Sequence, residues 1–163
     1  MHPVRDIKRV ALRPAGLSDA DLLYRWVNSP DALANKLRTR GPIPREEHER
    51  WFRKHLEPEG GRIWIVERQG QALGQVRFEP DAGGHEIDVY IMPEHRRLGI
   101  ASQALQAAFA AFGREHDGTV LIARVRPENE ASRRLFESLG FTLREHEQDH
   151  QVFIRTLGKG RVV

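Results

Sequence analysis

The chain has 163 residues, no cysteine, and 26 lysines and arginines set against 23 aspartates and glutamates, for a formal charge of +3. That length suits one domain with its own core, and the missing cysteines exclude disulfides, zinc–thiolate sites and a thiol nucleophile. The cations are scattered among the anions with no basic–aromatic stripe, which argues against nucleic acid. With no apolar run of about 18 residues and no leader-like start, a cytoplasmic protein that does not enter membranes is expected.

In chain order, residues 7–12 alternate loosely and predict a first strand. Ser18 and Asp21 resemble a capping box, and the helix they open puts Leu22, Leu23, Trp26 and Val27 on one face until Asn28-Ser29-Pro30 stops it. A short helical piece is expected over 31–36. Gly41-Pro42-Ile43-Pro44 breaks the chain before a helix over 45–56. The period then changes to two, with strands over 63–66, 73–78 and 86–91 joined by turns at 69–71 and 81–84. A long helix over 99–115, a strand over 120–125, a helix ended by Gly140, and strands over 141–145 and 152–157 follow. The order β-α-α-β-β-β-α-β-α-β-β predicts an α/β (α+β) domain over residues 1–158: a mixed, largely antiparallel twisted sheet flanked by helices. Residues 159–163 read as a short tail.

Two stretches carry chemistry. In the first, the strand Val89-Tyr90-Ile91 ends at Met92-Pro93, and Arg96-Arg97-Leu98-Gly99-Ile100-Ala101 leads straight into a helix. Free N–H groups at a helix start, the positive end of its dipole and adjacent cations suit a diphosphate, and Gly99 lets the chain approach it. In the second, the strand 120–125 is followed by Asn129-x-x-Ser132, Leu135-Phe136 and Gly140-Phe141.

Together, in this order, the two motifs resemble those of the GNAT superfamily, the Gcn5-related N-acetyltransferases. The resemblance implies acetyl-CoA as co-substrate, bound where two parallel strands splay apart, with no metal. It implies that Ile91 and Met92 offer backbone groups to the pantetheine arm, and that Arg96, Arg97, Leu98, Gly99, Ile100 and Ala101 hold the diphosphate. Asn129 would bond the pantetheine, with Ser132 and Arg133 toward the 3′-phosphate end; Arg134 reads as a solvated helix face. Phe136 departs from the pattern, because many members carry there a tyrosine that protonates the leaving thiolate.

Direct attack of an amine on a thioester needs a proton acceptor, a donor to the developing oxyanion and relief of the thiolate charge. The oxyanion donor is expected to be a backbone N–H near Ile91. Glu86, Asp88 and Tyr90 alternate on one strand face and are the candidate catalytic side chains, the two carboxylates unranked, with Tyr90, Ser132 or water replacing the lost phenol.

For the acceptor, Trp26-x-Asn28-x-Pro30, Ile43 to Phe52 with His48 and Trp51, and Gly74-x-x-Arg77-Phe78 resemble a GNAT branch that acetylates nucleotide-linked amino sugars. Trp26, Asn28, His48, Trp51 and Arg77 are therefore the expected acceptor contacts, Arg77 on a diphosphate; the alternative for the helix over 45–56 is a core-facing one, with Trp51 and Phe52 buried and His48 satisfied by a backbone carbonyl. The alternatives are a protein N-terminus, a polyamine or an aminoglycoside as acceptor, or an acyl-CoA-binding regulatory domain without turnover. A monomer, or a homodimer through the last strands, is expected.

Overall fold

A computed structural model describes residues 9–34 and 41–158. Seven strands form one sheet in the order β1-β2-β3-β4-β5-β7-β6: β1 Ala11–Pro14, β2 Arg62–Arg68, β3 Gln71–Asp81, β4 Gly84–Ile91, β5 Val120–Val125, β6 Thr142–Glu147 and β7 His150–Thr156. The helices are α1 Ala20–Val27, α2 Pro30–Ala34, α3 Arg45–His55, α4 Ile100–Gly113 and α5 Glu130–Ser138. Every strand pair is antiparallel except β4–β5. The expected mixed, mainly antiparallel sheet is what forms.

Some boundaries differ from the sequence reading. The first strand starts at Ala11 instead of residue 7; residues 7 and 8 lie outside the described residues, as does the expected tail. The helical piece expected over 31–36 is α2, described to Ala34, with 35 and 36 outside the described residues. The hairpin of β3 and β4 pairs as far as Asp81–Gly84, so both strands outrun their apolar stretches. Main-chain pairing across a tight Ala82-Gly83 turn extends them, and Pro80 is accommodated within β3.

Alternation along the strands divides two cores. Trp64 and Val66 of β2, Val76 and Phe78 of β3, and Ile87 and Ile91 of β4 face α4 and α5, where they meet Leu105, Phe109, Phe112 and Phe136. Ile63 and Ile65 point the other way, under Leu23 and Trp26 of α1 and Phe52 of α3. Phe52 is 1% exposed, and burying a side chain of that size stabilises by about 3 kcal/mol. This second core covers β2 and the start of β3, and the polar residues of β3 and β4 continue the same sheet face beyond it.

Candidate active site

The strands β4 and β5 pair at His85–Leu121 and Glu86–Ile122, and no further pair forms between them among the described residues. Beyond that point they part. Which backbone groups of β4 face the gap follows from its other neighbour. Met92 N–H donates to the Leu73 carbonyl at 2.8 Å, and Tyr90 lies opposite Gln75. In an antiparallel ladder the bonded positions alternate, so Tyr90 and Met92 spend their main-chain groups on β3. Val89 and Ile91 turn theirs toward β5, into the gap. Gly74 is required beneath this strand end, because a Cβ there would come within 2.0 Å of the Tyr90 carbonyl.

After Ile91 the chain makes a one-turn helix at Pro93–His95, then passes through Arg97 at φ 64° and Gly99 at φ 77° into α4. Arg97 is one of two non-glycine residues at positive φ among those described. Left-handed residues ahead of a helix turn main-chain N–H groups to one side of a loop, the usual form of an anion-binding concavity. A Cβ on Gly99 would meet no protein atom within 4 Å, so the space beside it is open. Gly99 gives α4 no side-chain cap, leaving the first-turn N–H groups without one. Ile100 is buried in the larger core, Ala101 packs against it, and Leu98 and Arg97 are exposed.

Arg96 lies differently from the expectation of a cation beside a diphosphate. Its Nε donates to the Ile91 carbonyl at 2.6 Å, its Nη2 pairs with Asp31 of α2, and its guanidinium sits 5.4 Å from the Tyr90 ring centre. Arg96 therefore faces the side of the sheet that carries α1 and α2. Asn129 caps α5, its Oδ1 accepting the Ser132 N–H at 3.2 Å, and its Nδ2 makes no hydrogen bond among the described residues. Arg133 and Arg134 both reach Glu130. Phe136 is buried edge-on against Phe141.

On the opposite face, the polar side chains of β3 and β4 stand in register: Gln75 beside Tyr90, Arg77 beside Asp88, Glu79 beside Glu86. Buried Gln75 donates to Asp88 Oδ2 at 2.8 Å, and Arg77 lies 3.8 Å from the same oxygen. Glu86 is instead engaged by Arg124 at 3.2 Å, which also pairs with Asp81 and Glu147. Burial alone would raise the Glu79 carboxyl, but His55 and Arg77 outweigh it and hold it at about 2. Arg77 also lies over Trp51, which stacks on His55 with ring centres 4.2 Å apart.

Three expected acceptor contacts are structural instead. Trp26 is 6% exposed, in the smaller core. His48 is 3% exposed among the rings of Tyr24, Trp51 and Phe52. Asn28 exchanges two hydrogen bonds with the backbone of Ile43, fastening the end of α1 to the start of α3. Trp51 and Arg77 do face the polar region, but Arg77 is occupied by Glu79 and Asp88.

The sequence reading missed Ser29, Asp31 and Gln75. The Tyr90 hydroxyl is 3.2 Å from Ser29 Oγ and 3.5 Å from Asp31 Oδ1. Burial would raise the Asp31 carboxyl, but the pair with Arg96 and the neighbouring Ser29 hydroxyl leave it below its ordinary value. Gln75 carried a signal, since Gln75, Arg77 and Glu79 alternate with Gly74, Val76 and Phe78. Ser29 carried only that of a helix stop, and Asp31 only that of the start of the next helical piece. Among the described residues no three or more His, Asp or Glu side chains are grouped to hold a metal ion, and no helix is long and apolar enough to cross a membrane.

The chain is 23% identical over 147 residues to an N-alpha-acetyltransferase of Sulfurisphaera tokodaii, covering 82% of this chain and 81% of that protein. It is 28% identical over 155 residues to the uncharacterized N-acetyltransferase YoaA of Bacillus subtilis, covering 86% and 84%. Its fold matches the crystal structure of spermidine N-acetyltransferase from Vibrio cholerae in complex with CoA and spermine, with a TM-score of 0.81 at 20% identity, over 91% of this chain and 96% of that one. The profile of the acetyltransferase (GNAT) domain matches residues 9–142, most of the chain, which therefore belongs to the GNAT acetyltransferase family.

Proposed function

We propose that this acetyltransferase moves the acetyl group of acetyl-CoA to the primary amine of a small cationic acceptor, at the end of β4. The observation that carries the reading is the parting of β4 and β5 after Glu86–Ile122, which leaves the main-chain groups of Val89 and Ile91 facing a gap beside a glycine-led helix start. An extended pantetheine arm suits such a gap, taking the place of a strand, and the amides of residues 97–101 with the Arg97 side chain suit its diphosphate. Asn129 Nδ2 is a further donor at the α5 end, and Ser132 and Arg133 lie beside it.

Acetyl-CoA supplies an activated acyl thioester. The chain's residues do the rest. The Ile91 carbonyl is occupied by Arg96, while the Ile91 N–H points into the gap and is the donor for negative charge developing on the thioester oxygen. Of the two carboxylates, Asp88 is the better base. It stands three residues from Ile91, roughly 10 Å along the strand, against roughly 17 Å for Glu86. Gln75 orients it, and half of its side chain is exposed, so a water can relay the amine proton. Glu86 is held in the Arg124 cluster. Buried Phe136 offers no proton, and a thiolate whose acid has a pKa near 8.5 departs without one.

Carboxylates favour the cationic acceptor over the nucleotide-linked amino sugar. Asp31, Glu79, Asp81, Glu86, Asp88 and Glu147 outnumber Arg77, Arg96 and Arg124 along this face. Arg77, the expected diphosphate anchor, already has anionic partners. The spermine in the related Vibrio cholerae structure and the N-alpha-acetyl activity in the archaeal relative's name fit the same reading. Thiol release from acetyl-CoA tests it, with spermidine, a peptide with a free N-terminus, an aminoglycoside and a UDP-4-amino sugar as acceptors. Turnover is expected on cationic amines. Turnover confined to the sugar nucleotide would overturn the acceptor class, and acetyl-CoA binding without thiol release on any amine would favour a regulatory domain.

A further inference from the structure

The loop that leads into α4 contains two adjacent arginines, and the structure separates their roles. Arg97 adopts the left-handed conformation and is exposed. Arg96 turns back: its Nε is on the Ile91 carbonyl at 2.6 Å and its Nη2 on Asp31. Asp31 also accepts from the Tyr90 hydroxyl at 3.5 Å, and that hydroxyl lies 3.2 Å from Ser29 Oγ. Ser29 Oγ donates to the Trp26 carbonyl at 2.8 Å, at the end of α1. The Tyr90 ring lies between Trp26, 5.8 Å away, and the Arg96 guanidinium, 5.4 Å away. One guanidinium thus joins the strand end that carries the Ile91 N–H to α2 and the end of α1, the wall on the acceptor side.

We propose that Arg96 is a positioning residue for the acceptor side, a clamp between the Ile91 carbonyl and Asp31, and not a ligand of the donor's diphosphate. The proposal rests on the reading that transfer takes place at the end of β4. Three geometric features support it. An arginine is suited to this bridge because its fork donates in two directions at once, which a lysine's single ammonium cannot do over the same span. Its contact on the β4 side is the carbonyl of Ile91, the residue whose N–H is the oxyanion donor, so the clamp holds that residue's main chain, one peptide on from the donor, at the edge of the gap. Its contact on the other side lies sixty-five residues away in sequence, so the tie is tertiary and links the two walls directly.

The test uses the full chain with acetyl-CoA, and with spermidine as the probe amine. In Arg96→Ala, the acetyl-CoA dissociation constant measured by calorimetry is expected to stay within about twofold of the parent. Amide hydrogen exchange over residues 28–34 should accelerate by roughly tenfold, the loss of a hydrogen bond to a charged group. The KM for spermidine should rise by roughly tenfold while that for acetyl-CoA holds. Asp31→Asn should reproduce the exchange and KM effects, and the double variant should be no worse than either single one. Arg96→Lys, which keeps the charge and guards against a folding defect, should recover part of the exchange protection. The proposal is overturned if Arg96→Ala or Arg96→Lys weakens acetyl-CoA tenfold or more while exchange over 28–34 is unchanged, or if the two single effects add. The calorimetry and exchange need no acceptor, so a failure of spermidine to react would count against the acceptor reading alone.

Discussion

The proposed donor and acceptor sides of this molecule are built from different materials. On the proposed donor side the groups are main-chain: the Val89 and Ile91 positions facing the gap, and the N–H groups around Gly99. On the acceptor side they are side chains held by one another: Gln75 on Asp88, Arg77 between Glu79 and Asp88, Arg96 on Asp31. A main-chain site depends on where strands stop and where a glycine stands, and tolerates changes in the side chains around it. A side-chain site depends on partners that the fold brings together from distant parts of the chain, and one exchange can redirect it.

The sharpest way to break the donor half is Gly99→Glu, which puts a carboxylate into the open space beside the loop at a backbone angle disfavoured for side chains. Acetyl-CoA affinity should fall by more than about a hundredfold by calorimetry, and unchanged affinity would remove the loop from the site. Gly74→Ala comes next. Its Cβ would collide with the Tyr90 carbonyl at 2.0 Å, and chemical denaturation should show a loss of about 3 kcal/mol, with a lower turnover number in whatever folds.

On the acceptor half, Asp88→Asn should lower kcat by about a hundredfold, while Glu86→Gln should stay within a few-fold of the parent. The reverse order would move the base to the Arg124 cluster. The smallest effect concerns pH. The Glu79 carboxyl, at about 2 in the folded chain against an ordinary 4.5, contributes stability that is complete above 4.5 and lost as pH falls through 2. Urea midpoints measured across that interval should decline less steeply in Glu79→Gln than in the parent.

The same contrast explains what could be read in advance. The end of β4 at Ile91, the glycine-led loop and the helix stop at Gly140 are local, so spacing along the chain revealed them, and the mixed sheet followed from the order of periodic segments. Trp26 and His48 illustrate the limit on the other side. An aromatic or imidazole on an amphipathic helix is the same letter whether it faces a ligand or the core, and here both are buried. Arg96 and Asp31 could not be paired in advance, because nothing within either segment points to the other. Arg77 was legible as an acceptor-side cation, but its neutralisation by Glu79 and Asp88 depends on the register of β3 with β4 and the orientation of α3.

The most direct measurement is the change in backbone amide resonances of isotopically labelled protein as CoA is added. Shifts should concentrate at Val89 and Ile91 and through residues 97–101, with Glu86 and Ile122, where β4 and β5 still pair, moving little. Shifts confined to the outer strands, or to α1 and α3 with Ile91 unmoved, would contradict a donor held at the parting of β4 and β5.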